Sequence, residues 1–143
     1  MKKAIFLLFF PILVFSQNPV KITWENLRDV TFKKKWNAQE NMFILEPNFG
    51  PKVTVLKGKN VALTGYMIPV DVDANYYVLS ANPFASCFFC GQAGPESVVS
   101  VKFKSNLKRF NTDDRVTING IFTLNTDDIN ELNYIIEKAE VEM

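Results

Sequence analysis

The chain has 143 residues, with 16 Lys and Arg against 15 Asp and Glu, two cysteines and no histidine. That near-balance of charge offers nothing that favours a nucleic-acid backbone, whose binding rests on excess positive charge. Without histidine no Ser-His-Asp set can form, and the length suits one domain with one core.

The first segment reads as a secretory signal. Lys2 and Lys3 precede an apolar run from Ala4 to Val14, broken only by Pro11. Val14 and Ser16 then supply the small residues of a cleavage site before Gln17. The run is shorter than the roughly 20 residues of a spanning helix; the alternative is an uncleaved N-terminal anchor. Cleavage leaves residues 17–143, with 16 − 2 = 14 basic side chains against 15 acidic ones. The product is expected to be exported, periplasmic or extracellular, with no integral membrane segment after signal removal.

Residues 17–56 read as a short, mostly helical extension packed on the domain that follows. Trp24, Leu27 and Val30 have helical spacing, with Thr23 as N-cap. Lys33, Lys34 and Lys35 next to Trp36 are the one local basic cluster and read as a solvated face. The stretch 41–49 predicts a strand ended by Pro47. Residues 50–59 are ambiguous, since Pro51 suits a helix start while Val53 and Val55 suit a strand.

From Lys57 the pattern is β. "KNVALTGYMIPV" (59–70) and "DRVTINGIFTLN" (114–125) share Val-x-aliphatic-x-Gly. Val61 and Leu63 answer to Val116 and Ile118, Gly65 to Gly120. A glycine inside a strand marks a bulge, a barrel corner or a close backbone approach. Residues 75–82, 96–103 and 133–143 add three strands. Residues 126–132 start like a capped helical turn at Thr126, and 104–114 has room for a short helix around Leu107. Five strands, two with glycine kinks, predict a small OB-like five-stranded Greek-key barrel over 57–143. A β-sandwich is the alternative.

Both cysteines lie in "SCFFCGQAGPES" (86–97). Three readings of Cys87 and Cys90 stay open. A redox pair with Cys87 as nucleophile needs a helix N-terminus to lower the thiol pKa, yet Gly91, Gly94 and Pro95 follow at once. A metal site could draw on Cys87, Cys90 and Glu96, with Asp71 and Asp73 from the neighbouring turn. Four ligands of this kind suit Zn2+, while two thiolates alone suit Cu+. A Cys87–Cys90 disulfide would fix the loop and display Phe84, Phe88 and Phe89.

The stretches "ITWENL", "GKNVALTGYMIPV" and "YYVLSANPFASCFFCGQAGPESVVSV" resemble an uncharacterised family of small exported bacterial proteins, in the version found in Bacteroidetes-like bacteria. Members carry the Gly-Lys-x-Val strand followed by a cysteine-centred loop. In many the loop is Cys-x-His; Phe89 stands here where that histidine falls, with Cys90 one place later. The resemblance implies an OB-type strand order, and some relatives are linked to metal-responsive transport. The expectation is a non-catalytic exported binding domain for an ion, a small ligand or an envelope protein. A thiol-disulfide redox protein and a purely structural interaction module are the alternatives.

Overall fold

A computed structural model describes residues 18–105 and 109–142. The signal segment and the helix expected around Leu107 lie outside the described residues.

Five strands close a barrel: β4 (Asn60–Asp71), β5 (Tyr76–Ser80), β6 (Val98–Phe103), β7 (Arg115–Leu124) and β8 (Tyr134–Val141). Their order is β4-β5-β6-β8-β7, and β7 pairs back onto β4. All neighbours are antiparallel except β6 and β8, which run parallel. This is the OB-like topology, and the alternation of Val61, Leu63, Met67, Tyr77, Leu79, Val99, Val101, Ile118, Phe122 and Ile136 fills its interior.

Closure depends on strong coiling, and the two strand glycines permit it. β4 pairs with β7 up to Tyr66 and with β5 from Tyr66 onward, so the strand bends at Gly65. A Cβ there would lie 2.6 Å from the Ser80 carbonyl oxygen. Gly120 faces a bulge in β8, where Lys138 has φ 50° and the register with β7 slips. Its Cβ would lie 2.6 Å from both the Glu137 carbonyl oxygen and Ile136 Cγ2. Neither glycine has positive φ. Close approach, not a left-handed backbone, is what requires them.

The N-terminal extension differs from expectation: it is mostly strand. Its helices are single turns, α1 (Trp24–Leu27) and α2 (Pro51–Thr54). Between them β2 (Val30–Asn37) and β3 (Met42–Phe49) form a separate antiparallel hairpin. Val30 therefore belongs to a strand. Period-two alternation through Val30, Phe32, Lys34 and Trp36 outweighs the helical spacing that ends with Val30. β3 runs through Pro47 to Phe49, which a two-stranded ribbon tolerates because one edge of each strand needs no partner.

The extension is fastened to the barrel at several points. A short strand β1 (Val20–Lys21) pairs in parallel with β4. Trp24 Nε1 donates to the Thr64 carbonyl at 2.8 Å, and the Tyr134 hydroxyl donates to the Leu27 carbonyl at 2.7 Å. Leu27 and Val53 are fully buried in the same core as the barrel residues. Among the described residues no helix is long and apolar enough to cross a membrane.

Candidate functional site

The cysteine loop connects β5 to β6 and folds back across the outside of the barrel. It consists of three 3-10 turns, Phe84–Ser86, Phe88–Cys90 and Pro95–Ser97. Gly91, with φ 71° and ψ 16°, ends the middle turn in the left-handed region, where glycine carries no steric cost. No helix follows Cys90, as Gly94 and Pro95 dictate.

Cys87 is fully buried in a second small core with Ile68, Val78 and Val98, bordered by Tyr76, Phe88 and Leu132. Those strand residues point outward from the barrel, so Cys87 pins the loop onto the outer face. Cys90 is exposed. The two cysteines come within 4.3 Å without a bond, and both are free thiols. Cys90 Sγ donates to the Phe84 carbonyl at 3.1 Å. Desolvation, then the neighbouring Cys87, pushes the Cys90 thiol up from its ordinary value. A raised thiol holds less thiolate at neutral pH and is a poorer nucleophile.

The acidic residues expected beside the cysteines do not converge with them. Asp71 and Asp73 lie in the β4–β5 turn, at the opposite end of β5 from the loop. The Asp71 carboxylate accepts from the Ala74 amide, and Asp73 lies 4.0 Å from Arg109. Glu96 folds over Gly94 and lines a cleft with Trp24, Arg28 and Gln92. Its charge and that of Asp29 add to the burial that raises the Tyr134 phenol. Among the described residues no three His, Cys, Asp or Glu side chains form a metal-binding group. A four-ligand zinc set therefore does not fit; the two thiols alone match a soft, low-coordinate ion.

A different feature occupies the surface beside the loop. A groove of about 330 Å³ runs between the hairpin, the cysteine loop and the β7–β8 loop. Phe43, Leu45 and Pro47 form one wall; Phe88, Pro95, Ile129 and Leu132 contribute to the rest. Asn125 shapes the β7–β8 loop: its Oδ1 accepts from the Asp127 and Asp128 amides, while its Nδ2 donates to the Asp128 and Glu131 carbonyls. The cap is thus Asn125, not Thr126, and no helix forms over 126–132.

Glu131 supplies the groove with a fixed charge. Its Oε1 accepts from Ser100 Oγ at 2.5 Å and its Oε2 lies 2.8 Å from Lys102 Nζ. Burial pushes the Glu131 carboxyl up, but the hydrogen bonds from Lys102 and Ser100 outweigh it and hold it below the usual carboxylate range. The bond to Glu131 in turn raises the Lys102 ammonium. Glu131 and Asn125 carry no motif. The sequence signal for the hairpin wall was the strand expected over 41–49, which holds Phe43, Leu45 and Pro47.

Fold and groove together define an OB-like barrel with an added hairpin arm. The fold is similar to that of a DUF3299 family protein (PA4066) from Pseudomonas aeruginosa PAO1, with a TM-score of 0.55 and 15% identity over 89% of this chain and 98% of that one. At that identity the likeness is one of fold. No family model matches the chain, and no curated protein matches it.

Proposed function

We propose that the chain is an exported, non-catalytic binding domain that engages a small apolar ligand or an apolar segment of an envelope protein in the groove. The observation that carries this reading is a groove of about 330 Å³ walled by apolar side chains from three separate segments, with two acidic residues, Asp128 and the ion-paired Glu131. Binding sites have this make-up: apolar lining, a few placed polar groups and volumes from about 300 Å³ upward. The β7–β8 loop corresponds to the last inter-strand loop of the barrel, a usual contact region of OB folds. The buried Cys87 and the raised Cys90 thiol weigh against thiol-disulfide catalysis.

Photo-crosslinking in intact cells tests the reading. A photoreactive residue at Ile129 is expected to give a discrete adduct that Phe88→Arg abolishes, while the same residue at Asp73 gives none. Identical adducts at both positions would refute it.

The approach of two free thiols to 4.3 Å in one turn favours a second reading, a soft-ion site at Cys87 and Cys90. Two thiolates suit Cu+, consistent with the metal-responsive setting that the family resemblance implies. Titration of reduced protein with Cu+ against a competing chelator should show one equivalent bound, lost in Cys87→Ser and in Cys90→Ser. Unchanged binding in both variants removes this reading.

A further inference from the structure

We propose that the distal half of the β2–β3 hairpin is a membrane-surface anchor that enters the headgroup region of a bilayer containing anionic lipid. The hairpin register places Val30, Phe32, Lys34 and Trp36 on one face with Phe49, Pro47, Leu45 and Phe43 opposite them. At the root this face is satisfied, because Val30 and Phe49 pack against the core and Pro47 is buried. Toward the tip it is not: Trp36 is 49% exposed, Phe43 55% and Leu45 54%. The arm is an isolated two-stranded ribbon, an arrangement that is marginal in water without something covering it. Within the tip, Trp36 and Phe43 meet edge to face at 4.9 Å, and Lys34 Nζ lies 4.7 Å from the Phe43 ring centre.

The charges choose the occupant. Lys33, Lys34 and Lys35 run directly into Trp36. Lys35 pairs with Glu46. Lys33 and Lys34 then outnumber Glu40, the other acidic residue between the two strand roots. A protein-binding surface of this apolarity is depleted in lysine. Tryptophan beside lysines is instead the composition of the bilayer interface, where the ring sits among headgroups and long basic side chains reach anionic phosphates. Phe43 and Leu45 also form a wall of the groove, so an arm set in the headgroups holds the groove at the bilayer surface. The anchor shares Phe43 and Leu45 with the groove, so its test is read on Trp36 and the three lysines, which do not line the groove.

The test is co-sedimentation of the full chain with vesicles of equal parts phosphatidylcholine and phosphatidylglycerol, with brominated lipid as a fluorescence quencher. Trp36 is expected to be quenched, and Trp36→Phe to remove the quenching, since Trp24 is tied to the Thr64 carbonyl against the barrel. The combined variant Lys33→Gln, Lys34→Gln, Lys35→Gln should weaken binding to these vesicles by about fivefold per lysine. The same variant should partition onto pure phosphatidylcholine as the parent does. Each protein carries the same residues 1–17, so differences between them report the hairpin. The lysine side chains lie outside the core, so this variant keeps the parent's unfolding midpoint. Unquenched Trp36, or a lysine variant that binds the anionic vesicles as tightly as the parent, overturns the proposal. So does a concentration-dependent doubling of mass that buries Trp36 without lipid, which would assign the tip to a second copy of the chain.

Discussion

Replacing Gly65 or Gly120 by alanine isolates close approach as the reason for each glycine. Alanine is comfortable at negative φ, so a backbone-conformation argument expects little effect. The packing argument expects a loss. At Gly65 the new methyl would meet the Ser80 carbonyl oxygen at 2.6 Å and Leu79 Cγ at 2.9 Å. Ser80 is opposite Tyr66 in the ladder, so its carbonyl cannot withdraw without loosening the β4–β5 pairing. At Gly120 the obstacles are the Glu137 carbonyl oxygen and Ile136 Cγ2, both at 2.6 Å. The isoleucine is stiff at χ1. Overpacking of this kind costs about 1–3 kcal/mol. Removing a glycine from a strand returns about 0.5–1 kcal/mol. Contacts of 2.6 Å to backbone oxygens belong to the upper half of that range, so the net expectation is a loss of about 1–2.5 kcal/mol for each variant, or roughly 4 °C in midpoint per kcal/mol for a chain of this size. Gly94→Ala is the control: the atoms nearest its methyl are those of the Glu96 carboxylate, the far end of a side chain with free torsions, and the cost should be near zero. Urea unfolding with an unchanged slope is the assay. If Gly65→Ala and Gly120→Ala unfold with the parent's midpoint, the tight-approach account of barrel closure is wrong.

Glu131→Gln should lower stability at neutral pH by about 1.5–3 kcal/mol, the range for hydrogen bonds to a charged group. Because the folded carboxyl is held below its unfolded value, that contribution is present above the unfolded carboxylate pKa and fades as pH falls through the folded one, so parent and variant should converge in acid. Urea melts at stepped pH check this, and a constant gap down to strong acid would exclude it. Lys138→Gly should be neutral or stabilising by up to about 1 kcal/mol, since it relieves the left-handed backbone at the β8 bulge; a loss in thermal melts would place the strain elsewhere. Cys87→Ser should cost about 1–3 kcal/mol by setting a hydroxyl among Ile68, Val78 and Val98, whereas Cys90→Ser, at an exposed position, should cost little. Equal midpoints for the two variants would show that Cys87 does not pin the loop.

The sequence by itself determined the five strands of the barrel, while their closure through β7 onto β4 is a tertiary pairing. Alternation in 59–70, 75–82, 96–103, 114–125 and 133–143 is a local property, since a strand with one face in a core must place apolar residues at every second position. The glycines of two strands announced tight coiling, and Gly91, Gly94 and Pro95 ruled out a helix after Cys90 for reasons that are equally local. Tertiary structure decided the rest. Trp24, Leu27 and Val30 satisfy a helical period, but only pairing with 42–49 reveals that Val30 starts a strand, because an isolated stretch of eight residues cannot state its partner. Asp71 and Asp73 are near the cysteines along the chain, yet β5 carries them to the opposite end of a strand, and proximity in sequence is not proximity in space. Glu131, Ser100 and Lys102 come from a loop and a strand 31 residues apart and meet only after the barrel closes. The groove has no sequence signature at all, because it is the gap left between three segments whose relative placement is fixed by the packing of Leu27, Val53 and Tyr134 beneath them.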